Sequence, residues 1–170
     1  MNPTVELTEV REFMKRHLVE VFETMLSRKA VPSGAPVPET TAERVCSSVG
    51  FGGETVTGVA YLHLSGEFAS TAAAAMLGMA DEVPVESEVN DVVGELSNML
   101  AGGLKSHLAD LGLPCAVSTP TIIRGTCFAI ESLPDVKRER LAFECGREFV
   151  VLEIHIKFEE SFYADENTER

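Results

Sequence analysis

Apolar residues recur at steps of three and four in two long stretches of the chain, a spacing typical of amphipathic α-helices. The first stretch follows Asn2-Pro3, a capping residue and a residue that suits the first helical position, and it predicts a helix of about 24 residues. This helix ends before 31–40, where three prolines and a glycine predict a loop. The second stretch predicts a helix over about 87–111, with Ser87 as its N-cap and Gly112 as its stop signal.

Strand-like segments occupy most of the remaining chain. Residues 115–125 are predicted to be extended, with Pro120 marking an edge or a bulge, and 126–132 are predicted to add a further strand. Gly66 opens an Ala-rich run, 67–79, which predicts a short, closely packed helix. Two pairs of strand-like segments, each joined by a short turn that contains glycine, predict hairpins: 43–50 with 54–64, and 139–145 with 148–158.

The order of these elements predicts the fold class. Because consecutive strands are joined by short turns, we expect an α+β fold with a largely antiparallel sheet and helices packed on one side. The alternation in 148–158 predicts a strand with one buried face and one mostly polar face. A single domain is expected to span 1–158, and the acidic, polar tail 159–170 is expected to fray.

The chain has 170 residues and a net charge of −13, which narrows the classes of partner. So acidic a protein is expected to repel phosphate backbones and anionic lipid head groups, which argues against nucleic acid and membrane surfaces. The sequence contains no apolar run long enough to span a membrane and no signal-peptide core at its N-terminus. The four cysteines are expected to be small buried hydrophobes in a reducing cytoplasm. The four histidines are scattered singly, so no metal site is predicted.

The polar side of the second long helix departs from an ordinary solvent face. At ~100° per residue its apolar positions form one broad arc that is expected to face the core. That arc consists of Val89, Val92, Val93, Leu96, Met99, Leu100, Leu104, Leu108 and Leu111. Asp91, Glu95, Asn98 and Gly102 lie nearly opposite, on consecutive turns and within about 60° of one another. We refer to these four residues as the polar stripe.

Asn and Gly are poor residues for the middle of a helix, and the Gly102-Gly103 pair costs roughly 1 kcal/mol per residue relative to Ala. One interpretation is that the stripe is a flat patch for close approach of another backbone. The other is that it is a solvated polar face, with the two glycines needed for packing against the Ala-rich helix 67–79. The residue pattern alone leaves both interpretations open.

Residues 89–125 strongly resemble the signature helix and following strand of the CheC/CheX/FliY phosphatase family, and CheX most closely. The Thr-Pro-Thr-x-x-x-Gly run at 119–125 also resembles the family. The earlier helix, 67–79, contains no Glu-x-x-Asn, so the resemblance implies one active site. The family motif, Asp/Ser-x-x-x-Glu-x-x-Asn with a later Pro, is matched by Asp91, Glu95, Asn98 and Pro120.

The resemblance implies a CheC/CheX-like domain whose substrate is the aspartyl phosphate of a CheY-type response regulator, in chemotaxis or a related two-component pathway. It implies that Asn98 orients the attacking water and that Glu95 docks a lysine of the regulator. Asp91, Gly102 and Pro120 would belong to the partner-binding surface. The alternative is a structural role, for Asp91 as a charge at the helix start and for Pro120 as a strand bulge beside the site. The resemblance also implies a homodimer and no cofactor of the chain's own, because Mg²⁺ is carried by the phosphorylated regulator. Two other classes stay open, a non-catalytic response-regulator binding module and a scaffold of a signalling or flagellar motor complex.

Overall fold

The computed structural model describes residues 7–159, which form three helices on one face of a seven-stranded sheet. The helices are α1 (Leu7–Leu26), α2 (Gly66–Leu77) and α3 (Glu86–Asp110). The strands are β1 (Val31–Ser33), β2 (Arg44–Gly52), β3 (Val56–Ser65), β4 (Ala116–Val117), β5 (Thr121–Gly125), β6 (Lys137–Cys145) and β7 (Glu148–Phe158). The order across the sheet is β1-β6-β7-β3-β2, with β4 and β5 both pairing with β2, and every pair is antiparallel. The predicted α+β class is confirmed, whereas the predicted helix start at Asn2-Pro3 and the tail beyond residue 159 lie outside the described residues.

One core forms between the helices and the sheet, and it orients α3. The arc residues of α3 pack into this core; Met99 and Leu111 are partly buried there. Burying an apolar side chain of this size contributes roughly 1.5–3 kcal/mol, so the arc fixes the rotation of the helix about its axis. The polar stripe must therefore face solvent. The fully buried members of the arc are Val89, Val92, Val93, Leu96, Leu100, Leu104 and Leu108.

The prediction that 31–40 is a loop is right only in part, because Val31–Ser33 forms the short strand β1. Its backbone pairs with β6, and the Ser33 hydroxyl donates a hydrogen bond of 2.9 Å to a carboxylate oxygen of Glu144. Pro32 is tolerated there because β1 lies at the edge of the sheet, where an N–H is not needed on the outer side.

The start of α3 also differs from the prediction, because Ser87 lies within the first turn and is not its N-cap. The capping position is Val85, whose side chain has no hydrogen-bonding atom. The Glu88 carboxylate instead accepts a hydrogen bond of 2.9 Å from the Val85 backbone N–H. A carboxylate in the first turn satisfies a free N–H and also interacts favourably with the helix dipole.

The predicted strand at 126–132 is wrong, because these residues begin an irregular segment, 126–136, that joins β5 to β6. Since β5 and β6 lie on opposite sides of the β7-β3-β2 core of the sheet, this segment crosses the face opposite the helices. The Phe128 carbonyl accepts a hydrogen bond from Arg44 of β2. At the other end of the segment, the Asp135 carboxylate lies 3.0 Å from the Lys157 ammonium of β7.

The mostly polar face of β7 is also buried, which the alternation alone does not predict. The crossing segment provides the physical reason, because it covers part of this side of the sheet. Glu153 is 2% exposed and accepts hydrogen bonds from His63 (2.8 Å) and Arg138. Burial acts to raise the pKa of Glu153, but the hydrogen bonds and charges of His63 and Arg138 outweigh burial and lower it to about 2. The carboxylate therefore stays ionised, paired with His63 and Arg138.

The cysteines follow the prediction only in part. Cys46 and Cys145 are buried, Cys115 is half-buried and Cys127 is exposed. Burial raises the pKa of the Cys46 thiol to about 12, so this side chain is an uncharged core residue. Among the helices of residues 7–159, none is both long and apolar enough to cross a membrane.

Strands outside the two predicted hairpins form part of the sheet edges. β2 is covered on its outer side by β4 and β5, and β1 covers the part of β6 that contains Phe143. Within residues 7–159 the exposed edges are therefore β1, the β4–β5 side and the first half of β6. That half of β6 carries Lys137, Arg138 and Arg140, and such charged side chains are a common protection of an open edge.

Candidate functional site

The polar stripe lies on the solvent side of α3, as its rotation requires. Asp91, Glu95 and Asn98 are exposed, and Gly102 is half-exposed. Within residues 7–159, the side chains of these three polar residues make no hydrogen bond or ion pair with another residue. Because no neighbour in the described fold uses their bonding capacity, the carboxylates and the carboxamide are available to a partner.

The two adjacent glycines of α3 differ in whether the fold has room for a side chain. A Cβ atom added at Gly102 would have no atom within 4 Å, so no packing contact of the described residues requires glycine there. A Cβ atom at Gly103 would lie 2.0 Å from the Nε2 atom of His17 in α1, a distance that the fold cannot accommodate without rearrangement. Gly103 is thus a packing residue, although its partner is α1 and not the Ala-rich helix α2. Gly102 fits the interpretation of a flat patch left free for another molecule.

Pro120 lies beside the stripe and supports the flank of α3. It sits in the break between β4 and β5, as predicted for a proline at an edge or a bulge. The Cβ and Cγ atoms of Pro120 would be 3.8 and 3.9 Å from a Cβ atom at Gly94, which is ordinary van der Waals contact. Pro120 therefore lies close to the helix backbone one residue before Glu95, with room for a Cβ atom between them.

Polar side-chain contacts that the sequence patterns do not predict join β5 to the first part of α3. The Arg124 guanidinium donates hydrogen bonds of 3.1 and 2.7 Å to the side-chain oxygen of Asn90 and lies 3.4 Å from the Glu43 carboxylate. Asn90 directly precedes Asp91, so this contact fixes the helical turn at which the stripe begins. A signal existed in the sequence, since Arg124 occupies one of the unassigned positions of the 119–125 run.

The site has the shape and charge of a docking surface. The stripe lies on the convex face of a helix, and two of its four residues are acids. Two grooves lie elsewhere, one of about 360 Å³ along α1 and one of about 1300 Å³ on the sheet face opposite the helices. Residues 7–159 contain no group of three or more His, Cys, Asp or Glu side chains placed to hold a metal ion.

Comparison with known proteins identifies the family. A family model described as "Chemotaxis phosphatase CheX" matches residues 45–144, a range that includes the whole polar stripe, Pro120 and Arg124. The chain belongs to the CheX family. The resemblance of residues 89–125 to this family is thereby confirmed, and the family is one of chemotaxis phosphatases.

Solved CheX and CheC-like structures share the fold. The chemotaxis protein CheX from Vibrio vulnificus is 25% identical, with a TM-score of 0.75 over 88% of this chain and 97% of that chain. A CheC-like superfamily protein from Shewanella sp. PV-4 is also 25% identical, with a TM-score of 0.76 over 89% and 99%. The CheX of a CheX–CheY–BeF3–Mg²⁺ complex from Borrelia burgdorferi is 18% identical, with a TM-score of 0.69 over 87% and 97%. A search of curated protein sequences gives no match.

Proposed function

We propose that this CheX-family chain is a phosphatase that hydrolyses the aspartyl phosphate of a CheY-type response regulator. The observation that carries the proposal is the polar stripe, whose side chains are exposed and unengaged within residues 7–159. A convex helix face suits a macromolecular substrate that brings its own cleft. The Borrelia relative, whose structure is a complex with CheY, supports this class of partner.

Asn98 is the residue to which we assign the positioning of water. An acyl phosphate is already an activated bond, so hydrolysis mainly requires a water molecule held in line with the phosphorus atom. The Asn98 carboxamide is neutral and does not repel the phosphoryl oxygens. Its oxygen can accept a hydrogen bond from the water while its NH₂ group donates one. The water-orienting Gln of GTPases performs a comparable task.

Glu95 is the residue to which we assign the docking of a regulator lysine. It lies three residues before Asn98 on the same face of α3, so a lysine held there would bring the phosphoryl group close to the carboxamide. Asp91, one turn earlier, adds a second negative charge to the docking face. Neither acid acts as a nucleophile in this proposal, because the chemistry consists of positioning a water molecule.

The proposed substrate is a phosphorylated regulator that carries its own Mg²⁺, which supplies charge neutralisation at the phosphoryl oxygens. No cofactor is assigned to this chain. We place the protein in the cytoplasm, together with its substrate, as part of the same proposal.

The direct test is the decay of ³²P-labelled CheY-type regulators from one cell, measured with and without the wild-type chain. We expect at least one regulator to lose its phosphate faster, with no label transferred to this chain. Binding to a phosphorylated regulator without faster decay would contradict the phosphatase and favour the non-catalytic binding module. Neither binding nor faster decay with any regulator would favour a scaffold.

The adjacent glycines provide a matched pair of variants. Gly102→Ala is expected to stabilise the fold by up to ~1 kcal/mol, since the new methyl group meets open space and Ala is the better helix former. The same methyl group is expected to weaken binding of the phosphorylated regulator by about tenfold, the cost of a mild steric overlap. Gly103→Ala should instead lower the free energy of unfolding by about 1–3 kcal/mol, because it collides with His17. Urea titrations and regulator-binding titrations separate the two effects, and equal binding by Gly102→Ala would remove Gly102 from the interface.

We also propose a homodimer that forms through sheet edges and leaves both polar stripes outward. The β4–β5 edge of the described sheet can accept a second strand, whereas the first half of β6 carries the charged side chains that discourage such pairing. An isologous contact there would keep two independent sites. Sedimentation equilibrium at micromolar concentration is expected to give twice the chain mass of 18.4 kDa, and a mass of one chain would contradict the dimer.

A further inference from the structure

The seam between α1 and α3 lies directly beside the polar stripe and contains an unusual stack of rings. The rings of Phe13 and His107 are parallel, with centroids 4.1 Å apart and an interplanar angle of 5°. His17, one turn after Phe13, also stacks against the Phe13 ring, with a centroid distance of 5.4 Å. Phe13 and His17 belong to α1, and His107 belongs to α3, so the stack joins the two helices just beyond Gly102, the last residue of the stripe.

Among the described residues, His17 makes the one side-chain hydrogen bond of this seam that reaches the backbone of α3. Its Nε2 atom lies 3.1 Å from the carbonyl oxygen of Met99, and because a carbonyl only accepts, Nε2 must carry the hydrogen. The ring also occupies the space that a side chain at Gly103 would fill, where a Cβ atom would be 2.0 Å from Nε2. The hydrogen bond to Met99 and the close contact with Gly103 thus fix the position of the imidazole on α3.

Each of the two α3 residues that His17 contacts directly follows a residue of the polar stripe. Met99 follows Asn98, and Gly103 follows Gly102. His17 therefore supports the helical turn that carries Asn98, the proposed water-orienting residue. It does so from the side of α3 that packs on α1 and does not touch the exposed face. An in-line reaction is sensitive to such support, since a displacement of about 1 Å can cost 10²-fold in rate.

We propose that His17 is a positioning residue for Asn98. Its Nε2–H group donates a hydrogen bond to the Met99 carbonyl and its ring packs against Gly103, and these two contacts fix the α3 turn that contains Asn98. This inference rests on the proposed phosphatase function. His17→Leu, which keeps an apolar side chain but removes the donor, is expected to lower kcat by about tenfold. The KM for the phosphorylated regulator should stay within about twofold, because the exposed stripe itself is unchanged. His17→Gln, whose terminal NH₂ can donate to the same carbonyl, is expected to restore most of the lost kcat.

Phe13→Leu is the matched control, because it removes the ring stack from the same seam and leaves the donor to Met99 in place. Its melting temperature is expected to fall as much as that of His17→Leu, while its kcat stays near the wild-type value. An unchanged kcat in His17→Leu would overturn the proposal. So would an equal loss of kcat in Phe13→Leu, or a failure of His17→Gln to restore activity, since either result would make the role one of packing alone.

A spectroscopic measurement separates this inference from the function on which it rests. The carbonyl ¹³C shift of Met99 and the side-chain amide signals of Asn98 are expected to move in His17→Leu and to return in His17→Gln. If the wild-type chain hydrolysed no regulator phosphate, the proposed function would fail, but these signals would still report whether His17 holds the turn. Unmoved Met99 and Asn98 signals in His17→Leu would overturn the inference whatever the wild-type activity.

Discussion

Asn98→Ala is expected to lower the rate of regulator dephosphorylation by about 10²–10³-fold, the usual effect of losing one positioned hydrogen-bonding group. The fold should be unaffected, because the side chain is exposed and makes no hydrogen bond to another residue of 7–159. The free energy of unfolding is expected to change by less than about 0.5 kcal/mol. The decay of a ³²P-labelled regulator at saturating chain concentration measures the effect on the chemical step.

Asn98→Asp sharpens this test, because it keeps the shape of the side chain and replaces the NH₂ donor with a negative oxygen. It is expected to lose about as much activity as Asn98→Ala, since the new charge faces the phosphoryl oxygens. Thr71→Ala is the matched control, an exposed polar side chain on α2 whose hydroxyl only contacts its own helix backbone at Glu67. Full activity in Asn98→Ala would remove Asn98 from the mechanism.

Glu95→Lys is expected to weaken binding of the phosphorylated regulator by about 2–5 kcal/mol, or roughly 30-fold to several thousand-fold. The substitution removes the proposed partner of a regulator lysine and places a like charge against it. Folding should be little affected, because Glu95 is exposed and makes no ion pair with another described residue. A binding titration with several regulators, each in its phosphorylated form, measures the loss and also identifies the preferred substrate.

Asp110→Lys provides the control for net charge. It changes the charge of the chain by the same two units and lies exposed on the last turn of the same helix, away from the stripe. If long-range steering alone caused the loss, both variants would weaken binding equally and added salt would remove the difference from wild type. Wild-type affinity in Glu95→Lys would show that the docking role of Glu95 is wrong.

Predictions that depend on local periodicity agree with the structure. The extent of α3 is right to within a residue at each end, and Gly112 adopts a left-handed φ of 80° just beyond it. The turn at Gly146 likewise has a positive φ of 67° and joins β6 to β7. These features follow from residues close together in the chain, because helix period and turn conformation are set by neighbours.

Most predictions that fail depend on contacts between distant residues, and the N-cap of α3, predicted at Ser87 and found at Val85, is a local exception. Val31–Ser33 becomes a strand only because β6 lies beside it, and 126–132 is irregular because it crosses a sheet face. Alternation in β7 places Glu153 and His155 on its mostly polar face, whereas the fold buries both and pairs Glu153 with His63 and Arg138. No local pattern can reveal a covering segment or an ionic partner that is distant in sequence.

Helix periodicity is sufficient to predict the polar stripe, because a period of 3.6 residues and a wide apolar arc leave only one direction in which Asp91, Glu95 and Asn98 can point. Periodicity does not distinguish Gly102 from its neighbour Gly103. The packing of α1 against α3 shows that Gly103 makes room for His17 while Gly102 meets open space. The reason is physical: the residues that a missing side chain would strike belong to another helix, and their distance is set by packing between elements and not by the order of the chain.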